Sequence, residues 1–139
     1  MLDRIAMRYP SAAPHDPAVD AWLEERQRAQ PELGALARAW CAHLRACGDD
    51  VCELMHDGQA TACVGDAPFA YVGVFSAHVN VGFFHGASLA DPARVLEGSG
   101  KFMRHVKLRP AHVHSDAVRA LVNAAYVDVR ARLAALPPE

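Results

Sequence analysis

"FAYVGVFSAHVNVGFF", residues 69–84, decides the fold. Two runs rich in aromatic and β-branched residues, FAYVGVF (69–75) and HVNVGFF (78–84), are separated only by Ser76-Ala77. Such runs read as strands, and so short a gap makes them an antiparallel hairpin. Alternation along the second run sets His78, Asn80 and Gly82 on one face. Val79, Val81 and Phe83 fall on the other.

Upstream, VCELMH (51–56) and ATACV (60–64) are shorter strand candidates, turned by Asp57-Gly58 and Gly65-Asp66. Downstream, FMRHVKL (102–108) is the last strand candidate. Helical spacing flanks this β region on both sides. Asp16-Pro17 opens a helix carrying Val19, Trp22 and Leu23 to about Gln30, and Pro31 resets the chain. Leu33, Leu36, Ala37, Trp40, Cys41, Leu44 and Cys47 then recur at threes and fours, stopped by Gly48. At the far end Val118, Val122, Ala125, Val129, Leu133 and Leu136 repeat that spacing, with Ser115 as the expected cap and Pro137-Pro138 as the stop. Two N-terminal helices, an antiparallel sheet of about five strands and one C-terminal helix make an α+β domain. It is expected over 17–136, preceded by a loosely attached arm over 1–16.

Size and composition agree with one domain. The chain has 139 residues, 52% hydrophobic and 22% charged, with a formal net charge of −2. That balance argues against a nucleic-acid partner, which draws on a strongly basic domain or face. The first residues carry Asp3 and Arg4 and no apolar signal core, and no run approaches a membrane span, so no membrane partner is expected. A cytoplasmic location follows as the expectation. There Cys41, Cys47, Cys52 and Cys63 stay reduced.

Basicity is local. Lys101, Arg104, His105, Lys107 and Arg109 gather within nine residues that contain no acid. On an extended segment Phe102, Arg104, Val106 and Leu108 share the apolar face, so Arg104 puts a permanent cation where the core should be. Asp91 and Glu97 are its nearest candidate partners. Three readings stay open: a tether for the 85–100 connector, an anion-facing group, or an exposed side chain. The opposite face holds Lys101, His105, Lys107 and Arg109, either as a solvated face or lysine-decorated edge, or as an anion site. Gly98, Gly100 and Lys101 in "LEGSGK" do not make a phosphate loop, because Phe102 stands where Ser or Thr is required.

The remaining candidates are thinner. His78 and His105 could share a sheet surface and a metal, and Cys47, Cys52, His43 and His56 have a loosely zinc-like spacing. No metal ligand is assigned from either set. Cys63 is the one nucleophile worth naming, and nothing local activates it. No catalytic residue is assigned.

Residues 58–109, with "HVNVGFFHGA", "L-x-DP" and "LEG-x-GK-x-MRHVKL", resemble the YdhG-like family of small bacterial domains of unknown function. The "AWLEERQ" and "LVNAAYVDVRARL" helices are also similar, so the resemblance spans about 17–136. It implies helices packed on an antiparallel sheet. His78, Gly86, Asp91, Pro92 and Glu97 belong to its structural motif. Some members are regarded as frataxin-like iron chaperones, so an iron-binding chaperone is the alternative function the resemblance allows; otherwise no cofactor is expected. Helix 17–30 interleaves its acids Asp20, Glu24 and Glu25 with Arg26 and Arg28, and no iron ligand is carried over. The function expected is a non-catalytic binding or accessory domain. It would take a small anionic ligand or an acidic protein surface at Lys101, Arg104, His105 and Lys107, beside Gly98 and Gly100.

Overall fold

The computed structural model describes Ile5 and residues 7–137. Residues 1–4 and 6 of the expected arm, and Pro138 of the expected stop, lie outside the described residues. Helices α1 (Pro17–Ala29) and α2 (Pro31–Arg45) come first. Strands β1 (Val51–His56), β2 (Gln59–Val64), β3 (Ala67–Val74) and β4 (Val79–Phe83) follow. A 3-10 turn (Gly86–Ser88), β5 (Arg104–Leu108) and helix α3 (Ser115–Ala135) complete the chain. The strands form one antiparallel sheet in chain order, so the α+β reading holds.

Local chemistry accounts for the boundaries. Asp16 accepts from the Ala18 amide at the start of α1, and Pro17 occupies a position whose amide needs no partner. Asp57 and Gly58 both have positive φ, 51° and 74°, as the tightest hairpin turn demands. Several boundaries shift from the sequence reading, β3 starting at Ala67 rather than Phe69, and two of the shifts have a local reason. His114, at φ 47°, occupies the cap position of α3 without a side-chain bond, and Ser115 is the first helical residue. Strand β5 begins at Arg104, two residues late, because the Phe102 carbonyl is already taken by the Ala87 amide.

The core lies between the helices and one face of the sheet. Register explains its composition: Val72 pairs with Val81 and Val81 with Val106, while Val79 lies between Val74 and Leu108. Val72, Val79, Val81, Phe83, Val106 and Leu108 are buried against Val19, Leu23, Trp40, Val118 and Val122. Each such side chain contributes about 1.5–3 kcal/mol.

The second face is a carpet of larger, more polar side chains. Leu54, Thr61, Tyr71, Gly82 and His105 make one row across all five strands. Tyr71 lies flat over Gly82, where a Cβ would stand 2.0 Å from the ring, so this position admits only glycine without moving the tyrosine. Gly73, Asn80 and Lys107 make part of the next row. Residues of the arm close over the β1–β3 end, with the Tyr9 ring against His56 and Phe84 and the Tyr9 amide bonded to the Asp66 carbonyl. The described part of the arm is thus docked.

Both sheet edges are capped. Ala13 exchanges two backbone hydrogen bonds with Glu53 on β1, and Glu97 does the same with His105 on β5. A one-residue bridge at each edge limits the unpaired backbone available to another chain.

Candidate functional site

The Gly-rich connector before β5 is built around Arg104. Arg104 pairs with Phe83, so it does lie on the core-side face. It is half-buried, and its Nη1 donates to the carbonyls of Gly100 and Met103, each at 2.6 Å. Neither expected carboxylate meets it. Asp91 instead accepts from the Val95 and Leu96 amides at 3.0 and 2.9 Å, and Glu97 is held in the backbone bridge to His105. Carbonyls win because the guanidinium needs acceptors rather than net charge, and its own connector supplies them at the shortest range.

Gly86 approaches the Arg104 backbone so closely that a Cβ would lie 2.6 Å from Arg104 Cβ and 2.8 Å from its nitrogen. Gly98 turns beside the Arg104 side chain, and Pro92 follows the Asp91 clamp. Gly86, Asp91, Pro92, Gly98, Gly100 and Arg104 therefore form one scaffold. Of the three readings, the tether fits this geometry.

The expected basic cluster is divided by the pleat. Lys101 precedes β5, exposed, with its Nζ 5.4 Å from the Phe102 ring centroid. His105 and Lys107 lie on the second face, opposite Gly82 and Asn80. Lys107 reaches Glu97 only at 4.0 Å. Continuing the β4–β5 register sets His78 opposite Arg109, so His78, His105, Lys107 and Arg109 share that face. His78 stacks on Phe75, with ring centroids 4.8 Å apart and planes 11° apart. Burial lowers its pKa, and Lys107, Arg109 and His105 lower it further, with Glu97 alone opposing them. Asn80, among them, is buried with its Oδ1 unpartnered.

Arg109 already belonged to the basic face read from sequence, whereas Asn80 was not singled out as a site residue. The strand alternation that grouped His78 with Asn80 was the available signal; adding the β4–β5 register would have completed the set.

The metal and nucleophile candidates come out differently. His105 faces Gly82, four residues along β4 from His78, which is about 13 Å of strand. That is too far for one ion. Cys47 Sγ donates to the His43 carbonyl, and His56 faces Tyr9 and Asp57. Among the described residues no group of three His, Cys, Asp or Glu side chains could hold a metal ion. All four cysteines are free. Burial pushes the Cys41 and Cys63 thiols up to about 12, so neither is a thiolate near neutral pH. No helix among the described residues is long and apolar enough to cross a membrane. No family model matches the chain, and neither a curated protein nor a solved structure matches it.

Proposed function

We propose that this chain is a non-catalytic binding domain of the YdhG-like type, which takes a small anion or an acidic partner surface along β5. The residues that carry the binding are Lys107, Arg109, His105 and His78. Lys101 and Arg104 of the original set drop out, one because it stands apart and the other because its guanidinium is occupied.

One observation supports this reading above the others. Four basic side chains share a face with a single nearby carboxylate, and their mutual repulsion adds to burial in lowering the affinity of His78 for a proton. A bound anion relieves that repulsion and raises the affinity again.

Thermal melting in phosphate, sulfate and phosphorylated metabolites tests the proposal, with chloride at matched ionic strength as the reference. The parent protein is expected to melt at a higher temperature in the polyvalent anions. Lys107→Ala with Arg109→Ala is expected to abolish the response, whereas Lys101→Ala keeps it. A parent protein that does not respond, or a response that depends on Lys101 instead, overturns the assignment.

A further inference from the structure

The second face of the sheet carries a cleft that the basic strand does not use. The arm supplies one lip, Met7, and the connector before β5 supplies the other, Met103. These side chains are 48% and 41% exposed, so apolar surface is left open on both sides of the opening. Phe84, buried, is the floor between them, and the same three residues line two adjoining hollows of about 80 and 110 Å³. The larger hollow runs over Tyr71 toward Gln59, Thr61 and His56. The smaller is closed by Pro68, Phe102 and His85, with no Asp, Glu, Lys or Arg in its lining among the described residues. Tyr71 stands edge-on to Phe84 at 6.0 Å, and the Tyr9 hydroxyl donates to the Met7 sulfur at 3.1 Å.

His85 is the odd member of the smaller hollow. It is only 5% exposed, and its Nδ1 has no hydrogen-bond partner among the described residues. Burial, and then Arg132, lower its pKa from the ordinary 6.5, with Asp128 opposing, so the ring is neutral near pH 7. A buried nitrogen left without a partner is costly, and a ligand that supplies the partner removes that cost.

We infer that this cleft binds an uncharged single-ring molecule bearing a hydroxyl group, a simple phenol, with its ring over Phe84 between the two methionines and its hydroxyl on His85. Charge is disfavoured, because nothing described in the smaller hollow would pair with an ion taken out of water. A ring is favoured over an alkyl chain, because thioethers and aromatic edges both make directional contacts with it. A hydroxyl donates or accepts, so it satisfies either tautomer of the neutral imidazole. The space sets the size at about six to ten non-hydrogen atoms, well below a drug-sized ligand.

Methionine methyl NMR on the full chain reads the cleft directly, since a bound ring shifts the methyl signals that lie against it. With phenol as the probe, the Met7 and Met103 methyls are expected to move together and saturate with a Kd on the order of 1 mM. Met55, which packs toward the core, should not move. Toluene, which lacks the hydroxyl, should bind about tenfold more weakly, and benzoate should leave both methyls unshifted. Met103→Glu changes an exposed lip, so it should keep the parent melting temperature and weaken phenol by about tenfold or more, read at Met7. His85→Phe should erase the preference for phenol over toluene. Lys107→Ala with Arg109→Ala should bind phenol like the parent, which separates this cleft from the anion site on β5. Met7 and Met103 methyls that stay unmoved in about 10 mM phenol overturn the inference. So does an equal response to toluene or benzoate, or a Met103→Glu protein that binds phenol like the parent.

Discussion

The two edges of the sheet handle charge in opposite ways. At β1, Glu53 is only 5% exposed, and both its oxygens accept from Arg45 at 2.7 Å. Arg45 also reaches Asp20 at 2.9 Å, and the Asp16 amide donates to Glu53 Oε2 at 3.0 Å. The Glu53 hydrogen bond is the largest cause of the raised Arg45 pKa. That network joins α1, α2 and β1 and leaves little for a ligand to do. At β5, Arg104 is satisfied by carbonyls, and Lys107 and Glu97 meet only at 4.0 Å. Charge at the first edge holds the fold together; charge at the second remains available.

Breaking the β1 network should give the largest effect. Glu53→Gln removes the carboxylate from a half-buried guanidinium and is expected to cost about 3 kcal/mol, read by chemical denaturation. A loss below 1 kcal/mol would mean that the two edges are not so different after all. Next comes Gly86→Ala, which drives a Cβ into the Arg104 backbone and should cost about 2 kcal/mol. Lys107→Ala with Arg109→Ala should change stability by less than about 0.5 kcal/mol, although it removes the anion response.

The smallest effect concerns pH. The pKa of His78 is lowered from its ordinary 6.5, so the unfolded chain binds this proton more tightly than the folded one. Its stability contribution is complete above that value and is lost as pH falls through 6.5 toward the folded pKa. His85 is shifted the same way, by burial and by Arg132. Melting temperature should therefore decline on acidification from about pH 7.5 to 5.5, and His78→Gln should decline less. In histidine NMR titrations the Lys107→Ala, Arg109→Ala protein should show a His78 pKa nearer 6.5, and saturating sulfate should move the parent the same way. An unmoved His78 would sever the link between the basic strand and the histidine.

Much of this molecule could be read along the chain. The 69–84 hairpin, the Asp57-Gly58 turn, the Asp16-Pro17 helix start and both amphipathic helices depend on neighbours within a few residues, so periodicity and turn chemistry reveal them. Strand alternation also assigned Arg104 to the core-side face and His105 and Lys107 to the other. The partner of Arg104 could not be read that way. Sequence supplied two nearby acids, but the folded connector turned Asp91 toward backbone amides and offered carbonyls to the guanidinium. The Arg45–Glu53 network escaped notice for the same reason: its members come from three elements that meet only after the helices dock.

The amino-acid order alone therefore determined which segments are helix and strand, and which face of each strand is apolar, because those preferences act over a few bonds. Tertiary structure alone decided which charges neutralise one another and which stay open along β5, because that choice depends on distances of a few ångströms between residues far apart in the chain.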